Sequence, residues 1–291
     1  MELRRRFVFR GNAAAIGGRI VRPSDLIIDS TVTSSLTVVG GRSRERAGAA
    51  RFGDWVSFAS ASTFAEGLFD DVQRQIDFTN GKVPEDSLTT TTRVEVDVTG
   101  LSIGTEKPKL TVKHLHLSLT SKSPSASGEP PIAPGSDTVI DGAAIDGHLL
   151  AIELAVPVFQ QYDTRSKLLT AADDPQFVKD FGACLYMGGE TPGTVTPGTV
   201  PPPPPPSRVQ YPCGTVYATI VKSIKWAGEA VAGVTFDHNA VTVPNFGRIF
   251  FGELLITGMS RRLTMVRVEL GSPLGGVVAC GEGEQNGSWS T

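Results

Sequence analysis

The sequence predicts a mainly β fold, a β-sandwich or barrel with two or three short helices and a C-terminal β-sheet segment. Three observations lead there. About ten short runs are rich in Val, Ile, Thr and aromatic residues, the clearest of them alternates apolar and polar residues, and helical spacing is confined to two regions. With 291 residues, 40% of them hydrophobic and 32 glycines besides, the chain can bury a sizeable core.

Strand signals begin at 6–10 and 26–39, broken by Gly17-Gly18 and Gly40-Gly41. A short aromatic strand follows at 53–58. Leu68, Phe69, Val72 and Ile76 recur at helical spacing, which predicts a helix over 66–77. Over 93–103, Val94, Val96 and Val98 alternate with Arg93, Glu95 and Asp97, the signature of a strand with one wet face. The strand at 109–119 changes parity between Leu110 and Val112 on one side and Leu115, Leu117 and Leu119 on the other, which suggests a β-bulge near Lys113. A Ser/Pro/Gly loop spans 121–135, Asp141-Gly142 and Asp146-Gly147 mark turns, and 149–159 resumes as a strand. Helical structure is expected over 164–181, with Thr164 as a cap and Asp174-Pro175 as a second start.

Residues 1–187 therefore read as a mainly β domain. Residues 188–212 carry a Thr-Pro-Gly-Thr-Val repeat and the run from Pro201 to Pro206, a composition suited to a linker or long exposed loop. Residues 213–291 read as β throughout and too small to cover their own apolar face, so docking on the first part is expected.

Net charge is only −3, which gives no electrostatic footprint for nucleic acid. Its distribution is uneven: ten arginines face four acids before residue 52. Arg42, Arg44 and Arg46, expected in a loop, are the basic residues most open to a partner, whereas no basic residue follows Arg267. Three cysteines, Cys184, Cys213 and Cys280, are too few and too scattered for a disulfide framework. Arg4-Arg5-Arg6 precedes a stretch too polar for an export signal, and no apolar window is long enough for a membrane helix, so a cytoplasmic location is expected.

Recognisable catalytic motifs are missing. His114 and His116 point to one face of a strand and can place two imidazoles around a divalent metal ion, with His148, His238, Asp141 or Asp146 as candidate third ligands. Asp137, Asp141 and Asp146 have a calcium-loop density of acids, but apolar residues occupy the intervals. In the hairpin 246–270, closed near Thr257 to Ser260, Phe251, Glu253 and Leu255 are expected on one face with Leu263, Met265 and Arg267, so that Glu253 and Arg267 form a polar pair diagonally across it. The leading functional expectation is a non-enzymatic binding or assembly protein, self-associating through its basic N-terminal part and acidic C-terminal end. The contrasting one is a metal-dependent enzyme or small-ligand barrel built on His114 and His116.

Overall fold

Val94, Val96 and Val98 are buried while Arg93, Glu95 and Asp97 between them reach solvent, so their strand has one face in a core and one outside. The computed structural model, which describes residues 7–23, 25–84, 88–105, 108–124, 129–181, 184–186 and 216–289, repeats that pattern through most of its length. In chain order the first strands are β1 (Phe7–Arg22), β2 (Leu26–Ser35), β3 (Gly41–Ala47), β4 (Ala50–Phe52), β5 (Val56–Phe58), β6 (Ser60–Phe69), β7 (Thr89–Ile103), β8 (Leu110–Pro124), β9 (Ile132–Pro134), β10 (Val139–Asp141), β11 (Ala144–Ile145) and β12 (His148–Leu154). They are followed by β13 (Leu185–Tyr186), β14 (Val216–Thr219), β15 (Val221–Trp226), β16 (Thr235–Asp237), β17 (Ala240–Val243), β18 (Gly247–Ile256), β19 (Ser260–Leu270) and β20 (Gly275–Trp289). Helices α1 (Val72–Thr79), α2 (Val156–Gln161), α3 (Arg165–Ala171) and α4 (Pro175–Phe181) lie between them.

The strands form two antiparallel sheets, as in a β-sandwich. One runs β13-β14-β18-β19-β20-β1-β2, with the β16–β17 hairpin attached to β18. The other runs β15-β12-β11-β8-β7-β5-β4, with β6 on β7, β3 on β6, and β9 and β10 on β8. β1 lies over β6 and β7, and β20 over β7 and β8. Ala13, Ile16, Leu263 and Cys280 from the first sheet share a core with Val94, Val96, Leu115 and Leu117 from the second. Residues 216–289 contribute to both layers: β15 pairs with β12, and β20 pairs with β1 from Phe7↔Trp289 to Arg22↔Gly275.

Several local expectations are corrected. The region 66–77 is strand before it is helix, because Leu68 and Phe69 pair with Thr91 and Thr90 of β7. The helix begins after Asp71, whose carboxylate accepts from the Arg74 amide at 3.0 Å. The region 149–159 divides in the opposite sense. β12 ends at Leu154, and α2 follows with Pro157 in its first turn, where the missing N–H costs no helical bond. With α2 the described residues hold four helices. β1 passes through Gly17-Gly18 with a shift of register against β2 instead of stopping there, and Arg42, Arg44 and Arg46 lie on a strand, β3. The Thr-Pro-Gly-Thr-Val repeat, Pro201 to Pro206 and Cys213 lie outside the described residues.

The parity change near Lys113 does not come from an inserted residue. Thr99 faces His114 and Leu101 faces Val112, so the β7–β8 register is the same on both sides of the break. Gly100 instead takes the left-handed region at φ 63° and reverses which face the next side chain occupies. A Cβ there would stand 2.9 Å from the Ala59 Cβ. The break continues through Ala59, Gly100, Lys113 and Gly142, so a crease crosses the sheet. A matching crease crosses the other sheet through Gly252, Met265, Gly281, Ala15 and Val32. Because of the first crease Leu110, Val112, Leu115 and Leu117 all reach the core, while His114 and His116 face outwards.

Candidate metal centre

The hairpin of β7 and β8 sets the candidate site. Asp97 is the direct cross-strand partner of His116, and Thr99 of His114. On the other side of β8, Val139 of β10 pairs with His116 and Asp141 with His114. The outer face is thus a polar row between two strands whose inner faces are apolar. Asp97 Oδ2 lies 2.8 Å from His114 Nε2 and 3.3 Å from His116 Nδ1. The two imidazole centroids are 6.3 Å apart. His116 is the more buried, at 19% side-chain exposure, and Asp97 and His114 are each at 36%, so one wall of the cluster is held by the sheet and the other is open to solvent.

These atoms fit a metal ion. Ligands bound at about 2.0–2.2 Å in tetrahedral or octahedral geometry stand roughly 3 Å from one another, the separation Asp97 already has from each imidazole. Two histidines with one carboxylate suit a divalent transition ion and leave coordination positions free. The far nitrogen of His116, Nε2, lies 3.3 Å from Asp137 Oδ2, which is where a carboxylate fixes the ring orientation of a metal-bound histidine.

None of the third ligands suggested by the sequence joins the cluster. His148 Nδ1 is 3.2 Å from the Glu229 carbonyl oxygen, and His238 Nδ1 is 2.7 Å from Asp237 Oδ1. Asp141 pairs with Lys113 at 3.1 Å, and Asp146 accepts from the Lys109 amide at 2.8 Å. Asp97 takes the role instead. Its signal was present in the wet-face alternation of Arg93, Glu95 and Asp97; the missing piece was the register of the turn joining β7 to β8, which sets 97 against 116.

On the outer face of the other sheet, Arg267 Nε and Nη2 donate to Glu253 at 2.6 and 2.7 Å, and Glu269 accepts as well. The guanidinium stands 4.0 Å from the Phe250 ring centroid. Hydrogen bonding to Glu253, the largest influence, raises the Arg267 pKa above its ordinary value in spite of partial burial. The pair borders an open cavity of about 510 Å³. Phe251 does not share its face: Gly252, at φ 59°, turns Phe251 into the core and Glu253 outwards, and the crossing at Met265 does the same for Arg267. Two carboxylates and the Phe250 ring hold Arg267, so its charge is balanced within this sheet.

Arg42, Arg44 and Arg46 stand on β3, opposite Glu66, Phe64 and Ser62 of β6. Arg42 pairs with Glu66, and Arg44 lies 5.2 Å from the Phe64 ring centroid. Among the described residues Arg46 has no ion pair. Cys184 and Cys280 are buried free thiols; burial pushes the Cys184 pKa up to about 11 and raises that of Cys280 as well, which makes both poor nucleophiles.

The family described as Domain of unknown function (DUF8256) matches residues 7–184, well over half of the chain, and the chain belongs to it. No curated protein and no solved structure matches the chain. The matched stretch contains Asp97, His114, His116, Asp137 and Arg46, and ends before Glu253 and Arg267.

Proposed function

We propose that this member of the family binds a divalent transition-metal ion between Asp97, His114 and His116, with Asp137 orienting His116. The observation that carries this reading is the meeting of three candidate ligands, one carboxylate and two imidazoles, across the β7–β8 hairpin, where Asp97 Oδ2 approaches both imidazoles within 3.3 Å. Two neutral imidazoles and one carboxylate leave such an ion with residual positive charge and open positions on the solvent side, so it can take an external ligand.

The alternative of charge-driven assembly is less well supported by the same face. Of the three arginines on β3, Arg42 is engaged by Glu66 and Arg44 by Phe64, which leaves one unengaged cation where assembly would use three.

Chelator-stripped protein titrated with Zn²⁺ or Co²⁺ in a calorimeter is expected to take up one ion per chain. His116→Ala should abolish uptake, and Asp137→Asn should weaken it by about 10-fold or more, the usual effect of losing a carboxylate behind a ligating histidine. Circular dichroism should be unchanged in both, since the residues are on the outer face. Absence of uptake, or uptake that ignores His116→Ala, would refute the reading.

A further inference from the structure

Arg46, Ser62, Asp97 and His116 form one cross-strand row over β3, β6, β7 and β8. Arg46 is the partner of Ser62, Ser62 of Asp97, and Asp97 of His116. Strands lie about 4.8 Å apart, so the backbone of Arg46 stands roughly 10 Å from that of Asp97. The residue between them, Ser62, is small and polar. Along β6 and β7 the neighbouring surface is also low and hydroxylated, with Ser60 Oγ 2.7 Å from Thr99 Oγ1. The row therefore has a metal-ligand wall at one end, an exposed guanidinium at the other and a shallow hydroxyl floor between.

Charge distinguishes Arg46 from its neighbours. Arg93 is engaged by Glu95, Arg42 by Glu66, Lys113 by Asp141 and Arg44 by the Phe64 ring, whereas Arg46 has neither an ion pair nor a ring contact among the described residues. With a divalent ion on Asp97 and the two histidines, the ion's net charge and that of Arg46 face each other across Ser62; the nearby acids on the far side of β8 are Asp137, which is held by His116, and Asp141, which is held by Lys113.

We infer that the centre takes an oxyanion, phosphoryl or carboxylate, with one oxygen on the metal ion and a second on the Arg46 guanidinium above Ser62. This rests on the metal reading and adds the class of ligand and the residue that selects it. Guanidinium groups match oxyanion geometry with paired donors, and the bond is charge-assisted.

The test uses the full chain loaded with Co²⁺, whose visible absorption reports ligand exchange at the ion, titrated with methylphosphonate and separately with acetate. Parent, Arg46→Gln and Arg44→Gln proteins are compared. Either or both anions should shift the cobalt spectrum of the parent, and whichever does identifies the oxyanion. Arg46→Gln should bind Co²⁺ with parental affinity yet need about 10-fold or more of that anion for the same shift, the scale of one lost charge-assisted contact. Arg44→Gln should change it by less than about 3-fold, since Arg44 already covers Phe64. If Arg46→Gln and parent respond alike, or neither anion acts on the loaded parent, the oxyanion site is refuted and the metal reading stands. If Co²⁺ does not bind the parent, both are refuted.

Discussion

Asp97 is a single carboxylate shared by two imidazoles, and its position decides what the outer face of the second sheet can do. The two histidines were legible in the sequence because residues two apart on a strand point the same way. The third member was not, because its proximity depends on a cross-strand register that periodicity does not contain. His148, His238, Asp141 and Asp146 offer the same ligand types, but each is engaged elsewhere by a backbone or charged neighbour. Among the thiols, Cys184 makes a separate prediction. Its ordinary pKa of 9.0 applies when the chain is unfolded, and burial raises it to about 11 in the fold. The folded state then holds the extra proton between those values, so this stabilisation is complete below about pH 9 and is lost as pH rises through about 11. Two units correspond to at most about 2.7 kcal/mol. Urea unfolding of parent and Cys184→Ala at about pH 8 and pH 11 should show the parent losing more stability than the variant. Parallel pH profiles would mean that the thiol is not held protonated.

At the scale of elements, the two creases explain both what the alternation revealed and where it misled. The strand over 93–103 read correctly as half wet. The parity change near Lys113 was also visible, but an inserted residue and a left-handed residue on the partner strand produce the same pattern in one strand. Only the constant pairing of Thr99 with His114 and Leu101 with Val112 separates them. The hairpin 246–270 misled for the same reason, since Gly252 places Phe251 in the core and Glu253 outside. Gly100 is therefore central to the site: without its φ of 63°, the alternation that buries Leu110 and Val112 would carry His114 and His116 inwards. Gly100→Ala adds a Cβ 2.9 Å from that of Ala59 and forces a non-glycine residue into the left-handed region. It should destabilise the protein by about 1–3 kcal/mol in urea unfolding and weaken metal uptake. Gly48→Ala, in open space, serves as the neutral comparison. Equal stability of the two variants would show that the crease does not need glycine.

For the whole molecule, composition and turn chemistry carried the fold class, because two antiparallel sheets need little beyond alternating strands and punctuating glycines. How the strands distribute between the layers was hidden, since β1 finds its main partner, β20, at the opposite end of the chain. Such long-range pairing leaves no local trace. The family match ends at residue 184, yet the sheet containing β1 draws most of its strands from 216–289, so the candidate centre on β7 and β8 stands on a core completed by the C-terminal part. Among the described residues no helix is long and apolar enough to cross a membrane. The uneven charge seen in the sequence also takes on a place: part of the N-terminal arginine excess stands on β3, in the same sheet as Asp97 and the two histidines. The most direct test of the proposed centre is anomalous diffraction at the cobalt edge from crystals of the Co²⁺-loaded protein. One peak per chain is predicted, within about 2.3 Å of a carboxylate oxygen of Asp97, Nε2 of His114 and Nδ1 of His116. A peak at His148 or His238 instead, or no peak with Asp97 still bonded to both imidazoles, would contradict it.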